Sequence, residues 1–420
     1  MKIKKRHLQS QVEEMLSAFP VVAVTGARQV GKSTLLQEIH RIHPEFTYTT
    51  LDDRTTLDIA IEDPDGFISS RSLPLIIDEV QRVPDLMRAI KKVVDKERKP
   101  GMFLLSGSAN FLTLKTISES LAGRVALLEL YPFSLSEIYE KGPPDFLGIL
   151  SSNSVRKTLE ELSKKAWISW REWESLVLKG GFPPIYQLKK ELQRQVWFES
   201  YRKTYLERDL RDLTRIENLV GFGRVLTLCA SRTSKVVSYA DLARDADLSP
   251  TTLRRYLEML ETTYQIELLP PYFANIGKRL VKSPKLFFCD SGFAAYFLGV
   301  VGVEEAIRRG VWGNLVGTWV YQELKKILSL SHPRTFLYYW RTHAGREVDF
   351  VLEKGNQLIP LEVKAGSNIS PGELKGLKTF MEDFQKKVTM GIVLYTGSEI
   401  LPLTDKIIAI PLNLFFIGNE

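Results

Sequence analysis

Short apolar stretches alternate with helical stretches along the first third of the chain. The strand candidates are residues 21–25, 46–51, 75–77, 102–106 and 125–130. A helix is predicted from Lys32 to about Arg41, directly after a glycine-containing loop. Strands separated by helices predict an α/β fold with a parallel sheet covered by helices on both faces.

The pattern changes twice further along the chain. A Gly-Pro-Pro sequence at residues 142–144 interrupts the alternation, and a mostly helical stretch ends near two prolines at residues 270 and 271. A third pattern follows, with a helix at 317–328, strands at 335–341, 347–353 and 357–364, a helix at 372–384 and a strand at 389–395. We therefore predict three domains, at residues 1–140, 141–275 and 276–420, the last with the element order αβββαβ.

Composition narrows the class of protein. The 420 residues are 44% hydrophobic and 25% charged, as in an ordinary soluble globular protein. Cys229 and Cys289 are the only cysteines, too few for a disulfide framework or a tetrahedral zinc site, which fits a reducing compartment. No apolar segment reaches the ~18 residues that span a bilayer. We expect a cytoplasmic protein with no membrane partner.

The formal net charge of +7 is a mild excess on a chain of this length, so it permits nucleic-acid binding without requiring it. Lys2, Lys4, Lys5 and Arg6 form the densest basic cluster. Charge patterning favours a solvated terminal segment as the interpretation of this cluster.

A phosphate-binding motif follows the first strand. Residues 26–33 read GARQVGKS and match G-x-x-x-x-G-K-[ST] in full. The glycines let backbone N–H groups face phosphate oxygens, and the next helix adds its positive dipole end. Lys32 is predicted to reach the β- and γ-phosphates of ATP, and Ser33 to ligate Mg²⁺. The predicted phosphate-binding residues are Gly26, Ala27, Arg28, Gln29, Val30, Gly31, Lys32, Ser33 and Thr34.

The strand at residues 75–77 ends in two carboxylates. Asp78 is predicted to hold the Mg²⁺ shell, and Glu79 to orient and deprotonate the attacking water. A polar residue after the next strand could sense the γ-phosphate. The candidates are Ser106, Ser108 and Asn110, with Ser108 preferred and a simple turn as the alternative.

Arg124 follows in the sequence LAGR. A guanidinium there could offset transition-state charge, either in cis or from a neighbouring subunit of a homo-oligomer. A structural ion pair is the alternative interpretation of Arg124.

Four segments of the chain, in this order, resemble AAA+-like P-loop ATPases of bacteria and archaea that are fused to a C-terminal domain of unknown function. They read GARQVGKST, LIIDEVQ, LLSGSAN and LAGRV. GGFP at 180–183, YLERD at 205–209 and PKLFFCDSG at 284–292 are also similar to that family. The resemblance runs from about residue 15 to about residue 400. It implies an ATPase that uses Mg²⁺. Between the ATPase core and the C-terminal domain we predict a helical lid and a winged-helix region.

Two adjacent C-terminal strands carry a second constellation. Strand alternation puts Glu362 and Lys364 on one face, and a hairpin partner can bring Asp349 beside them. Two carboxylates and a lysine suit Mg²⁺-assisted phosphodiester cleavage. The set resembles the D…E-x-K signature of restriction-endonuclease-like domains, and Glu323 resembles their additional acidic residue. An inactive domain of the same fold is the alternative.

A helix-turn-helix is predicted at residues 238–257. Ser238 and Ser249 would cap its two helices, with Pro250 at the first position of the second helix. That helix would present Thr251, Thr252, Arg254 and Arg255 to DNA. The nearby Asp245 and Asp247 would repel phosphate, so a purely structural module is the alternative.

Three functions remain open from the sequence. The first is an ATP-driven switch that acts on nucleic acid and carries a C-terminal nuclease site. The second is an ATP-dependent regulatory or protein-interaction module whose nuclease-like domain is inactive. The third is an ATPase whose end domain only binds DNA.

Overall fold

The computed structural model describes residues 4–108, 121–144, 155–162, 170–204, 218–275, 282–331 and 334–418. The chain divides into two compact units. The first is Met1–Phe133 with Thr262–Gln265, and the second is Ser134–Glu261 with Ile266–Glu420. The three predicted domain ranges stay a prediction beside this division.

The first unit is an α/β layer structure. Its elements are α1 (Leu8–Leu16), β1 (Val21–Thr25), α2 (Lys32–Ile42), β2 (Thr47–Thr50), α3 (Arg54–Glu62), α4 (Pro64–Ser69), β3 (Leu75–Asp78), α5 (Leu86–Glu97), β4 (Phe103–Ser106) and β5 (Val125–Glu129). The five strands form one parallel sheet in the order β2-β3-β4-β1-β5. The predicted parallel sheet is therefore confirmed, with each strand within two residues of its predicted bounds.

The central strands of this sheet are apolar because both of their faces are covered. Every residue of β1, β3 and β4 is buried, as expected for strands between two helical layers. On one face, Met87 and Ile90 of α5 join Ile77 and Leu105 in a continuous core. Neighbouring parallel strands end at the same edge, so the loops after β1, β3 and β4 lie close together.

The second unit begins with helices, as predicted for the middle of the chain. Its first elements are α6 (Leu135–Ile138), α7 (Val155–Leu162), α8 (Trp170–Lys179), α9 (Glu191–Thr204), α10 (Leu219–Ser231), β6 (Lys235–Val236), α11 (Tyr239–Ala246), α12 (Pro250–Thr262), β7 (Ile266–Leu269), β8 (Lys285–Phe288), α13 (Ser291–Phe297), α14 (Val303–Arg308) and α15 (Trp312–Ser331). The strands β6, β8 and β7 form a small antiparallel sheet. Within the described ranges, no helix combines the length and apolar character needed to cross a membrane.

The region predicted as a helix-turn-helix forms two consecutive helices, α11 and α12. Ser238 Oγ accepts a hydrogen bond from Asp241 N, and Ser249 Oγ accepts one from Thr252 N. Each hydroxyl therefore satisfies a donor that the first turn of its helix leaves open. The two predicted caps and their helices are confirmed.

The remaining elements form a mixed sheet with two helices. They are β9 (Thr335–Arg341), β10 (Glu347–Lys354), β11 (Gln357–Lys364), α16 (Lys375–Asp383), β12 (Gly391–Tyr395), β13 (Leu401–Pro402), β14 (Ile407–Pro411) and α17 (Leu412–Phe415). The strand order is β13-β14-β12-β11-β10-β9. From α15 onward the predicted order αβββαβ is confirmed, while β13, β14 and α17 extend the domain beyond it.

Candidate functional site

The loop between β1 and α2 has a backbone that depends on glycine. Gly26 has φ 138° and Gly31 has φ 98°, and Gln29 between them also has a positive φ of 64°. A Cβ atom on Gly26 would lie 2.2 Å from the carbonyl oxygen of Leu130. Glycine is therefore required at position 26, both by the backbone conformation and by the close approach of a neighbouring strand end.

Lys32 occupies the first position of α2 and is only 4% exposed. Its Nζ donates to the carbonyl oxygens of Gly26, at 3.0 Å, and Ala27, at 2.8 Å. The ammonium group, the loop amides and the helix N-terminus concentrate positive potential at this strand edge, which suits a bound polyphosphate. Ser33 is half-buried and Thr34 is exposed beside it.

Asp78 lies at the end of β3 and is 3% exposed. Its Oδ1 accepts a short hydrogen bond from Ser106 Oγ at the end of β4, and its Oδ2 accepts one from Tyr48 in β2 at 3.0 Å. Burial, and then the Asp78 charge, raise the pKa of the Tyr48 phenol well above its ordinary value. Two neutral donors therefore orient a carboxylate at the strand edge that carries the P-loop.

Glu79 follows in the left-handed conformation, with φ 59°. Its backbone N donates to Ser106 Oγ at 3.1 Å, and its Oε2 accepts a short hydrogen bond from Gln81. The Gln81 amide also donates to Ser108 Oγ at 3.1 Å. A non-glycine residue held at positive φ stores local strain, which is characteristic of functional sites.

These contacts join the ends of β3 and β4 into one hydrogen-bonded network. The sequence singled out Asp78, Glu79, Ser106 and Ser108, but it did not identify Tyr48 or Gln81 as their partners. Carboxylate and hydroxyl oxygens are the hard donors that Mg²⁺ prefers. Within the described residues, no cluster of three or more His, Cys, Asp or Glu side chains could hold a metal alone. A magnesium ion here would therefore depend on Asp78, Ser33 and the phosphates themselves.

Arg124 makes the structural ion pair that the sequence left open. Its Nε lies 2.5 Å from Asp95 Oδ1, and its Nη1 donates to the Ala122 carbonyl. The hydrogen bond from Arg124 lowers the pKa of the Asp95 carboxyl. Both side chains are about one-third exposed, so rotation could free the guanidinium. Its role toward a γ-phosphate stays a prediction, and Asn110 lies outside the described residues.

The C-terminal residues Asp349, Glu362 and Lys364 lie on the adjacent antiparallel strands β10 and β11, whose register pairs Phe350 with Leu361. Lys364 Nζ lies 2.8 Å from Glu362 Oε1. Asp349 Oδ2 accepts from the backbone N of Val363 at 3.0 Å, which joins the two strands at this point. The structure therefore brings these three predicted residues into one acidic–lysine cluster.

Lys285 of β8 is a member of this cluster that the sequence did not identify. Its side chain is 2% exposed, and its Nζ lies 2.8 Å from both Glu347 Oε1 and Asp349 Oδ1. A lysine within the otherwise apolar strand KLFF was the available signal, since a buried lysine needs a carboxylate partner. Burial alone would raise the pKa of Asp349, but the Lys285 ammonium outweighs this and lowers it.

Glu362 is the member of the cluster that retains binding capacity. Burial, reinforced by the charge of Asp349, raises the pKa of Glu362 to about 8. Its Oε2 is buried without a hydrogen-bond partner among the described residues. A buried carboxylate oxygen left over in this way fits either a proton or a hard divalent cation.

Glu323 lies in α15 and is 1% exposed. Its Oε2 accepts from the backbone N of Leu135 at 2.9 Å, and its Oε1 lies 2.8 Å from Lys326 Nζ. These partners are distinct from the acidic–lysine cluster. The proposed part of Glu323 in a metal site stays untested, and its contacts are those of a helix-to-helix connection.

The acidic residues of the helix-turn-helix are paired with arginines. Arg232 and Arg244 contact Asp245, Arg244 also contacts Asp241, and Arg224 lies 3.9 Å from Asp247. On α12, Thr251, Arg254 and Arg255 are exposed, and Thr252 is half-buried. The charge that would repel phosphate is therefore largely offset, while the two α12 arginines face solvent.

Comparison with known proteins places the chain in a family. A family model described as AAA domain matches residues 18–139, and two described as domains of unknown function, DUF8612 and DUF4143, match residues 171–304 and 312–415. The uncharacterized proteins Rv2008c of Mycobacterium tuberculosis and Mb2031c of Mycobacterium bovis are each 32% identical over 412 residues, covering 98% of this chain and 84% of theirs. The chain belongs to the family of these mycobacterial proteins. Its N-terminal domain is an AAA domain with the parallel core of a P-loop ATPase.

Solved structures are more distant. A Walker-type ATPase of Pyrococcus abyssi is 16% identical, with a TM-score of 0.44, over 70% of this chain and 96% of that one. AMPPCP-bound DnaA from Aquifex aeolicus is 16% identical, with a TM-score of 0.27, over 60% and 85%. Both TM-scores are low, so the family assignment depends on the sequence matches. At the C-terminus, the structure has a mixed sheet, and the matching family model describes a domain of unknown function. The predicted restriction-endonuclease-like fold is not confirmed.

Proposed function

We propose that the chain binds Mg·ATP at the P-loop and hydrolyses it to ADP and phosphate. The observation that carries the proposal is the Ser106 hydroxyl, which bonds both Asp78 and the backbone of Glu79. This arrangement fixes the Asp78 carboxylate and the Glu79 backbone at the strand edge from which the P-loop departs. A solvated, purely structural edge would not require a buried carboxylate held by two neutral donors.

Each side chain then has a defined task. Lys32 and the P-loop amides bind the β- and γ-phosphates, and Ser33 and Asp78 hold Mg²⁺, which supplies charge neutralisation when bound. Glu79 orients a water molecule for in-line attack on the γ-phosphorus and accepts its proton. Gln81 holds the Glu79 carboxylate, and Ser108 lies one hydrogen bond beyond, where it could respond to the γ-phosphate.

Steady-state phosphate release tests the proposal. Lys32→Ala should abolish both ATP binding and turnover, whereas Glu79→Gln should keep binding and stop turnover. Lys99→Ala removes an exposed lysine of the same unit that pairs with nearby Glu97, and it should change neither binding nor turnover. Unchanged hydrolysis in Lys32→Ala would rule out the P-loop as the hydrolytic site.

A second activity is proposed for the C-terminal cluster, namely metal-dependent cleavage of nucleic acid. The unpartnered Oε2 of Glu362 supports it, because a divalent cation there would also be near Asp349. Lys364 would position or activate the attacking water. Supercoiled DNA and labelled RNA should be nicked with Mg²⁺ or Mn²⁺, and Lys364→Ala should stop this. Lys354→Ala, at the exposed hairpin end, is the matched control.

Absence of cleavage in every condition, with ATP hydrolysis intact, would favour the alternative, an ATP-dependent regulatory or protein-interaction module. The assay should therefore run with and without ATP. ATP-dependent nicking would link the AAA domain to a switch that acts on nucleic acid.

DNA is the proposed partner of α12. The acidic residues beside this helix are paired with Arg232 and Arg244, and Arg254 and Arg255 are exposed where they could meet phosphates or base edges. A double change of both arginines to alanine should weaken a gel-shift complex, and binding should fall steeply with salt. Arg308→Ala, an exposed arginine of the same unit, is the control. Cytoplasmic location and homo-oligomerisation stay predictions.

A further inference from the structure

Arg6 does not behave as part of a solvated terminal segment. The sequence grouped it with Lys4 and Lys5, yet Arg6 is only 7% exposed. Its Nη1 donates to the carbonyl oxygen of Val30 at 2.6 Å, and its Nη2 donates to that of Tyr131 at 2.6 Å. The interpretation of Arg6 as a solvated residue is therefore wrong, because backbone carbonyls and an aromatic ring compensate its burial.

The guanidinium joins the P-loop to the chain after β5. Its Cζ lies 4.8 Å from the centre of the Phe133 ring, so one face is covered by an aromatic surface while two N–H groups reach two carbonyls. Only the planar guanidinium group of an arginine can donate to two separated acceptors and stack on an aromatic ring at the same time. A lysine at this position could reach one carbonyl but could not reproduce the whole arrangement.

The contact with Val30 controls the direction of an amide in the phosphate loop. The Val30 carbonyl and the Gly31 N–H belong to one planar trans peptide, so they point in opposite directions. Holding the carbonyl toward Arg6 turns the Gly31 N–H away from Arg6. Gly31 has φ 98°, and an ideal Cβ there would lie 3.5 Å from Arg6 Nη1, so the guanidinium packs directly against this peptide.

We propose that Arg6 is a positioning residue that presets the P-loop for phosphate binding without touching the phosphate. The inference rests on the proposed function, since it assumes that the P-loop binds ATP. A loop whose amides are already oriented loses less conformational freedom on binding, so affinity is gained by preorganisation.

The test separates nucleotide affinity from turnover. Arg6→Ala should raise the Kd for Mg·ADP and the KM for ATP at least tenfold, about 1.4 kcal/mol, and kcat at saturating ATP should stay within about threefold. Arg6→Lys should recover part of the affinity. Lys5→Ala, an exposed neighbour, should match the wild type. Calorimetry supplies the binding constants and thermal melting reports the folded fraction.

The outcomes are distinct. If the wild type binds no nucleotide, the proposed function fails. If the wild type binds and hydrolyses ATP while Arg6→Ala binds Mg·ADP with equal affinity, the positioning role alone fails. A merely structural role would lower kcat in proportion to the folded fraction and leave KM unchanged, which also overturns the proposal. If Arg6→Ala does not fold, Arg6→Lys and Arg6→Gln carry the same comparison.

Discussion

Ser106→Ala removes one oxygen atom from the centre of the candidate site. In the wild type, Ser106 Oγ donates to Asp78 Oδ1 and accepts from the backbone N of Glu79, and the side chain is completely buried. An alanine fits the same space because it only lacks the hydroxyl. The change therefore isolates the two hydrogen bonds from packing effects.

The expected cost follows from the groups left without this partner. A buried polar group that loses its partner costs about 1–3 kcal/mol. Asp78 keeps the hydrogen bond from Tyr48, and Glu79 is only partly buried. The cost for each of these two groups should therefore lie at the lower end of that range. We expect the free energy of unfolding to fall by about 2–3 kcal/mol. The left-handed backbone of Glu79 also loses the bond that holds it, so the carboxylate should move from its catalytic position.

Urea unfolding and steady-state phosphate release measure these two effects. Turnover at saturating ATP should fall roughly 10- to 100-fold, because each 1.4 kcal/mol of lost positioning is about tenfold in rate. Nucleotide affinity should change little, since the P-loop is intact. Ser70→Ala removes an exposed hydroxyl that donates to the Phe67 carbonyl and should leave turnover unaltered. Wild-type turnover in Ser106→Ala would refute the proposed link between this hydroxyl and the hydrolytic carboxylates.

Two further predictions concern the P-loop and the acidic–lysine cluster. Gly26→Ala would place a methyl group 2.2 Å from the Leu130 carbonyl oxygen, at φ 138°. Calorimetry should detect no nucleotide binding, whereas wild-type affinity would contradict the observed backbone. Lys285→Met removes the ammonium group that lies 2.8 Å from both Glu347 Oε1 and Asp349 Oδ1, and it should lower the free energy of unfolding by about 3 kcal/mol in urea. Without the Lys285 ammonium, burial should raise the pKa of Asp349 in the folded variant, so the deficit in the free energy of unfolding should shrink as the pH falls toward about 4. A pH-independent deficit would show that the loss comes from packing.

Local motifs were the predictable part of this protein. The spacing of Gly26, Gly31 and Lys32 specifies a phosphate loop within eight residues, and apolar runs that end in polar residues located β3 and β4. Such signals lie within one element and its loop, so no knowledge of distant contacts is needed. The C-terminal αβββαβ order was equally accessible from the alternation of strand residues.

The missed residues act through partners far along the chain. Tyr48 contacts Asp78 from the neighbouring strand β2, and Lys285 contacts Asp349 from a different sheet. Arg6 was assigned to solvent because clustered charges usually remain hydrated. Its acceptors are backbone carbonyls 24 and 125 residues away. Every residue has a backbone carbonyl, so the pattern of side chains could not indicate these two.

Calorimetric titration of the purified chain with Mg·ADP and Mg·ATP, beside Lys32→Ala, tests the central claim most directly. We expect one nucleotide bound per wild-type chain, with affinity that depends on magnesium for ATP, and at least a hundredfold weaker binding in the variant. Equal affinity in the two proteins, or no heat of binding to the folded wild type, would contradict it.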